Sequence, residues 1–261
     1  MTMPHDFPTS LLRSFQQRFG RRACAASRAP GRINLIGEHV DYTGGYVLPC
    51  AIEKAFYVAG APRDDRRVAF YSVEMDQDAT ADLDDLAPLA APGWVNYALG
   101  AVDQLIKAGV DVPGFDAAVT STVPIGAGLS SSAAFEVATA RFALTLAGAE
   151  MDPMELARLC RRAENEFVGV PCGLMDQFIS VFGRAEHAAL LNCRTLEHRQ
   201  VPLYLGGCVL LLCDTGVRHE LGDTEYAKRQ EECARALDAV RREIGPHIAD
   251  LGMLGAEDNR K

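Results

Sequence analysis

The chain has 261 residues, of which 48% are hydrophobic and 23% charged, values typical of a globular protein with a sizeable core. The 26 basic residues against 35 acidic ones give a formal net charge of −9. Because nucleic-acid backbones and anionic membranes bind clustered Lys and Arg, this composition argues against both partners. No segment approaches the roughly 18 apolar residues of a membrane span, and the start, MTMPHDFPTS, lacks the basic and apolar regions of a signal peptide.

The eight cysteines indicate a reducing compartment. They are scattered without paired C-x-x-C motifs, and Cys50, Cys160, Cys208 and Cys213 lie in apolar runs. This distribution is typical of buried thiols. We therefore expect a cytoplasmic protein.

The first part of the chain predicts one helix followed by strands. Gly20 ends a helix that begins near Pro8. Strand-forming residues predict strands over 22–30, 47–63 and 66–74, the third as a neighbour of the second. An acidic stretch over 76–93 contains a strand fragment and a loop. Apolar residues at helical spacing then predict a helix over 94–109.

The later part predicts helices and then strands again. A strand over 114–124 leads into a Gly-Ser turn and a helix rich in small residues, 130–148. Asp152 is the expected cap of the next helix, with Pro153 at its first position. The remaining predictions are helices over 152–169 and 172–183, strands over 187–195, 198–204 and 207–216, and an amphipathic helix over 224–245.

This order of elements predicts an α+β fold rather than a doubly wound sheet. The pattern also suggests a boundary near Tyr204–Gly207. We therefore expect a first domain over 1–203 and the beginning of a second over 204–261.

The turn TVPIGAGLSSSAAFE, residues 122–136, has the composition of a phosphate-binding loop without its lysine. Gly126 and Gly128 allow close approach of the backbone, and the following helix presents free N–H groups and the positive end of its dipole. The serines could cap the helix, contact phosphate oxygens or ligate Mg²⁺. A plain serine cap after a glycine turn is the alternative.

A second motif, APGRINLIGEHVDYTGGYVLP, spans residues 29–49 and places Arg32, Glu38, His39 and Asp41 within ten positions. Carboxylates accept hydrogen bonds from sugar hydroxyls, and histidine can donate or accept. The density of polar groups between apolar runs predicts a site for a polyhydroxylated or anionic ligand. A solvated loop with a local ion pair is the alternative.

The third motif, GVPCGLMDQFIS, contains an aspartate in apolar surroundings. Asp176 follows Met175 and precedes Phe178 and Ile179. Burying a carboxylate costs several kcal/mol unless it is paired. Asp176 is therefore either a general base or a helix-capping or structural residue.

Together these motifs carry a specific family resemblance. GRINLIGEHVDYTGGYVLP, VPIGAGLSSSAA, PCGLMDQF and VRHELGDTEYAKRQEEC follow one another in this order. Their combination resembles the galactokinases, a branch of the GHMP small-molecule kinases. The resemblance implies a GHMP kinase-like fold and transfer of phosphate from ATP to the anomeric hydroxyl of galactose, with Mg²⁺ as cofactor and, if the protein is complete, a monomeric state.

The resemblance also implies roles for individual residues. Asp176 would take the proton of the anomeric hydroxyl, while Arg32 would orient Asp176 and stabilise the transferring phosphoryl group. Ser132 and Glu164 would hold Mg²⁺. Asp41 would read the axial hydroxyl that separates galactose from glucose. The ATP phosphates would lie against Gly126, Ala127, Gly128, Leu129, Ser130, Ser131 and Ser132, and the other sugar hydroxyls against Glu38, His39, Gly173 and Tyr226.

The sequence departs from the family pattern toward its end. It contains no glycine-rich motif of the type GGGFGGC, and its last residue is Lys261. We therefore expect a truncated form with an open nucleotide side and exposed apolar surface on 207–216. The alternatives are a kinase for N-acetylgalactosamine or arabinose, a non-catalytic sugar and ATP sensor, and an inactive fragment that still binds sugar.

Overall fold

The computed structural model describes residues 7–213 and 224–254, the side chains of 224–227 excepted. It has the predicted α+β architecture, with helices packed against mixed sheets. The strands are β1 (Ala25–Asn34), β2 (Tyr46–Val47), β3 (Pro49–Pro62), β4 (Arg67–Ser72), β5 (Gln77–Asp82), β6 (Phe115–Ser121), β7 (His187–Asn192) and β8 (His198–Pro202). The helices are α1 (Thr9–Phe19), α2 (Asn96–Lys107), α3 (Ser131–Ala147), α4 (Pro153–Arg162), α5 (Met175–Phe182) and α6 (Thr224–Glu243). A π-helix (Ala163–Val168) continues α4, and short 3₁₀ turns lie at Gly93–Val95 and Leu251–Met253.

The larger sheet has five strands in the order β1-β3-β6-β4-β5. Its neighbours pair antiparallel except β4 and β6, which run parallel. The predicted pairing of the second and third strands is wrong, because β3 already has β1 and β6 on its two edges. The chain returns from β5 through α2 to β6, a crossover that allows the parallel pairing with β4. A smaller antiparallel sheet has the order β2-β7-β8.

Both faces of β3 are covered, which explains its continuous apolar run. Val58 faces the main core with α2 and α3, whereas Tyr57 and Ala59 contact the side of the sheet covered by α1. A strand buried on both faces has no solvated side and therefore no alternation of apolar and polar residues. The sheet is thereby fixed between helices. The C-terminal end of β1 and the N-terminal end of α3 are held beside each other.

Local signals at helix ends were predicted correctly. Gly20 ends α1 with φ of 70°, and Asp152 accepts hydrogen bonds from Met154 N and Glu155 N at the start of α4. The predicted helix over 152–169 changes to a π-helix at Ala163. This wider turn carries Glu164 into the interior.

The predicted strand over 207–216 is wrong over the described residues 207–213, which have no regular structure. Among the described residues, no strand pairs with this segment, so its backbone has no ladder partner. Its apolar residues are exposed, Val209 by 84% and Leu211 by 82%. Cys208 and Cys213 are consequently exposed as well, contrary to the prediction, whereas Cys50 and Cys160 are buried as predicted.

The amphipathic helix α6 is present, but none of its side chains over 228–243 is buried. Within the part of the chain that the structure describes, no helix combines the length and apolar character needed to cross a membrane. The division into domains 1–203 and 204–261 remains a prediction.

Candidate active site

Arg32 and Asp176 form a two-pronged ion pair between β1 and the first turn of α5. Arg32 Nε donates to Asp176 Oδ1 at 2.8 Å, and Nη2 donates to Oδ2 at 2.9 Å. The side chains are 16% and 29% exposed, so a ligand can reach them. Arg32 Nη1 also donates to the carbonyl of Gly128 at 2.5 Å. The guanidinium therefore joins the aspartate directly to the Gly-Ser turn.

The Gly-Ser turn opens α3 at the same place. Gly126 and Gly128 have φ of 72°, a conformation that glycine adopts without strain. Ser130 precedes the helix, but its hydroxyl donates to Asp176 Oδ2 at 2.5 Å instead of capping the helix. The first helical bond runs from Ala134 N to Ser130 O, so the N–H groups before Ala134 lie ahead of the helical ladder. The plain serine-cap alternative is thus not what the structure shows.

Glu164 lies in the π-helix, buried beside Ser132. Ser132 donates a hydrogen bond to its carboxylate, as does Gln177 Nε2 at 2.7 Å. Burial, and after it the negative charge of Asp176, raises the pKa of Glu164 to about 7. A bound cation would offset both effects.

The donor set fits Mg²⁺. A serine hydroxyl and a carboxylate supply the hard oxygen ligands that this ion prefers, and Mg²⁺ often takes only one or two of them from the protein, with phosphates and water completing the shell. Among residues 7–213 and 224–254, no cluster of three acidic, histidine or cysteine side chains could hold a metal ion on its own. The pair is therefore suited to a metal that arrives with a polyphosphate.

Asp41 lies against Gly173 on the other side of Asp176. A Cβ atom on Gly173 would lie 1.8 Å from Asp41 Oδ2, so only glycine permits this approach. Burial, and after it the charge of Asp176, raises the pKa of Asp41 to about 6. A pocket of about 260 Å³ opens here, lined by Asp41, Tyr42, Gly44, Arg161, Cys172, Gly173, Cys193, Arg194 and Asp250.

Glu38 and His39 lie on the surface near this pocket and do not line it. Glu38 accepts hydrogen bonds from Asn34 Nδ2 at 3.1 Å and from Gly37 N at 3.2 Å. His39 has φ of 57°, and its Nδ1 lies 2.8 Å from the hydroxyl of Tyr42. The structure therefore brings Arg32, Asp41, Gly173 and Asp176 together and leaves these two side chains exposed. The side chain of Tyr226, on the first turn of α6, lies outside the described residues.

Sequence reasoning missed Gln177 and Glu136. Gln177 Nε2 donates to Glu136 Oε2 at 3.1 Å as well as to Glu164, and both Gln177 and Glu136 are fully buried. The available signal was the glutamate in SSSAAFEVATA, since an acidic residue inside an alanine-rich buried helix requires a polar partner.

Comparisons with known proteins point in one direction. The family model for the GHMP kinases N terminal domain matches residues 96–184, and the galactokinase galactose-binding signature matches residues 13–62. Galactokinase of Chloroflexus aggregans is 42% identical over 91% of this chain and 60% of its own length. Galactokinase of Homo sapiens is 40% identical over 88% of this chain and 60% of its own length.

Solved structures agree with these relatives. The structure of Lactococcus lactis galactokinase complexed with galactose matches 96% of this chain and 65% of its own chain, with a TM-score of 0.85 and 31% identity. Methanococcus jannaschii mevalonate kinase, 19% identical with a TM-score of 0.58, shares the fold. The chain spans 60% to 65% of the length of the galactokinases of Chloroflexus aggregans, Homo sapiens and Lactococcus lactis. Over that span, the two family models and the relatives all show that this chain is similar to the galactokinases among the GHMP kinases.

Proposed function

We propose that the chain transfers the γ-phosphoryl group of ATP to the anomeric hydroxyl of galactose, giving galactose 1-phosphate and ADP. The observation that carries this proposal is the position of Asp176. Its carboxylate is held by Arg32 and Ser130 at the end of the Gly-Ser turn, with Asp41 beside it. A phosphate on the turn and a hydroxyl beside Asp176 would meet at Arg32.

The nucleotide phosphates bind the turn and the head of α3. Gly126, Ala127, Gly128 and Leu129 offer backbone N–H groups, and Ser130–Ser132 stand at the positive end of the helix dipole. Ser132 and Glu164 would hold Mg²⁺, which would neutralise charge on the phosphates. The helix N-terminus and the metal replace the lysine of other phosphate loops.

Asp176 acts as the general base. Two hydrogen bonds from Arg32 hold its carboxylate in place, and this carboxylate accepts the proton of the anomeric hydroxyl as the O–P bond forms. Arg32 also stabilises the charge on the phosphoryl group in flight. Since the transition state of such transfers is loose, positioning and charge stabilisation supply most of the acceleration.

Galactose occupies the space beside Asp41. Asp41 accepts a hydrogen bond from the axial hydroxyl, and the backbone at Gly173 with Glu38, His39 and Tyr226 binds the remaining hydroxyls. Backbone hydrogen bonds from Asp41 and Met175 hold the Asp41 carboxylate, so a sugar with an equatorial hydroxyl would lose its hydrogen bond to Asp41, at a cost of about 1–3 kcal/mol.

Calorimetric titration with galactose, beside a coupled assay of ADP release, tests the proposal. We expect galactose-dependent ADP release that requires Mg²⁺. Galactose binding without turnover would favour the sensor or the inactive fragment, and a stronger response to N-acetylgalactosamine or arabinose would change the substrate. A cytoplasmic location completes the proposal, and a monomeric state is proposed only for a protein of the full length of its relatives.

A further inference from the structure

A buried glutamine joins two carboxylates behind the candidate metal site. Gln177 Nε2 lies 2.7 Å from Glu164 Oε2 and 3.1 Å from Glu136 Oε2. An amide nitrogen has two hydrogens, and here each has a carboxylate acceptor. The reverse orientation would place the amide oxygen against two carboxylate oxygens. The position of the amide is therefore fixed by its neighbours.

This network is costly for a structural core. Glu136 and Gln177 are fully buried, and Glu136 Oε1 and Gln177 Oε1 have no hydrogen-bond partner. Each buried polar atom without a partner costs on the order of 1–3 kcal/mol, whereas apolar residues would fill the same volume without this cost. Groups that break the rules of core packing in this way are concentrated at functional sites.

The network reaches the candidate metal site through Glu164. Gln177 and Cys172 Sγ, at 3.6 Å, both contact Oε2 of Glu164, so the carboxylate is restrained from one side. Gln177 directly follows Asp176, and successive residues on a helix point about 100° apart. One turn of α5 thus directs Asp176 to Arg32 and Gln177 to Glu164.

We propose that Gln177, anchored by Glu136, is a positioning residue that fixes the Glu164 carboxylate for the magnesium ion of the bound nucleotide. The inference rests on the proposed function. Hydrogen-bond partners behind a metal ligand hold its orientation, and their loss typically costs 10- to 100-fold in metal affinity. Gln177 itself touches neither nucleotide nor sugar in this arrangement.

The test compares Gln177→Met with Gln104→Met. Gln104 is also a buried glutamine whose Nε2 donates to a glutamate of the π-helix, Glu166, at 3.2 Å, but Glu166 is exposed and outside the site. The dissociation constant of ADP is measured by calorimetry with excess Mg²⁺ and again with a chelator. The constant with chelator divided by the constant with Mg²⁺ reports how strongly the metal favours nucleotide binding.

We expect Gln177→Met to lower this ratio about 10-fold or more while leaving the metal-free affinity for ADP unchanged. Gln104→Met should keep the ratio of the parent chain. Loss of both affinities together, or a ratio unchanged in Gln177→Met, would overturn the inference. A parent chain whose ADP affinity ignores Mg²⁺ would instead contradict the proposed function, and the inference with it.

Glu136 provides a second measurement if Gln177→Met does not fold. Glu136→Gln keeps an oxygen that can accept from Gln177, so it should retain the ratio. Glu136→Met removes that acceptor and should lower the ratio in the same direction as Gln177→Met. Equal ratios in the two Glu136 variants would contradict the anchoring role.

Discussion

Asp176 is held by residues that are far apart in the sequence. Arg32 comes from β1 and Ser130 from the head of α3, and both bind its carboxylate directly. The hydroxyl of Ser130 donates to Asp176 and does not cap the helix that it precedes. A structural aspartate would not need a ligand-accessible cleft, whereas a base does.

The first prediction concerns Asp176→Asn. Asparagine keeps the size but cannot accept a proton, so we expect the turnover number for galactose to fall by about 10²–10⁴-fold while the fold is retained. Asp116→Asn is the matched control, because Asp116 is also bound by arginines, Arg63 at 2.8 Å and Arg21, outside the site. That variant should lose stability and keep turnover per folded molecule. Near-normal rates in Asp176→Asn would remove Asp176 from catalysis.

The second prediction follows from the raised pKa of Asp41. Its pKa of about 6 in the folded chain exceeds the ordinary 3.8, so the folded state binds the proton more tightly than the unfolded state. The cost of ionising Asp41 is absent below about pH 4 and complete above about pH 7. Asp41→Asn should therefore add about 1–3 kcal/mol of stability at pH 7.5 and little at pH 4.

Urea unfolding at the two pH values measures this difference, and galactose titration provides the functional readout. The same Asp41→Asn variant should bind galactose more weakly at pH 7.5, since an amide replaces the carboxylate acceptor. A stability gain that is equal at both pH values would contradict the burial of an ionising Asp41. Unchanged galactose affinity would contradict its contact with sugar.

At the residue scale, the motifs in the sequence predicted which of their residues lie close together. Arg32, Asp41, Gly173 and Asp176 were expected together and are found together. Gln177 was not singled out, although it lies beside Asp176, because its importance depends on two glutamates from other helices. No short sequence pattern indicates that Gln177 contacts both of these glutamates.

Among the elements, β1 and the Gly-Ser turn are in direct contact. A Cβ atom on Gly31 would lie 2.7 Å from the carbonyl oxygen of Leu129, and Arg32 N donates to the same oxygen at 3.1 Å. The strand therefore fixes the height of the turn above the sheet. The nearest atom to such a Cβ is a backbone oxygen, which cannot move aside as the end of a flexible side chain would, and the Val123 methyls follow at 3.1 and 3.2 Å.

The third prediction is that Gly31→Ala displaces the turn. We expect ADP affinity to fall about 10-fold and stability to fall by about 1–3 kcal/mol, because the added methyl overlaps backbone. Gly109→Ala is the control, since Gly109 has φ of +86° with open space around it. It should cost about 1 kcal/mol through backbone strain alone and leave ADP affinity unchanged. Equal effects of the two variants on ADP binding would refute the coupling of β1 to the turn.

Elements were predicted well where their signals are local. The Gly20 stop and the Asp152 cap depend on residues within one turn of the helix end. The pairing partner of β4, and whether residues 207–213 form a strand, depend on which distant strand is available. A single sequence does not show which strands are neighbours. The π-helix at Ala163–Val168 is equally hard to predict, because the burial of Glu164 that it allows depends on residues distant in the sequence.

At the scale of the molecule, the segment 204–213 carries the most exposed large apolar side chains among the described residues. Tyr204 is 93% exposed, and Val209 and Leu211 are each more than 80% exposed. Leu212 lies beside a shallow pocket formed with Ile52 and Tyr57. Contiguous exposed apolar surface of this kind promotes association between molecules. The amino-acid composition alone gave no warning, because 48% hydrophobic residues is an ordinary value.

The fourth prediction is that the chain of 261 residues self-associates through this segment. Val209→Lys with Leu211→Lys should reduce self-association, because each buried side chain of this size contributes about 1.5–3 kcal/mol to a contact and a lysine reverses that gain. Sedimentation velocity over a range of concentrations measures the effect. The matched control is Ala234→Lys with Ala236→Lys, which adds the same charge to exposed positions of α6. If the control variant reduces self-association equally, net charge and not the apolar segment controls association. A parent chain that stays monomeric at all concentrations would contradict the prediction that the segment 204–213 joins molecules.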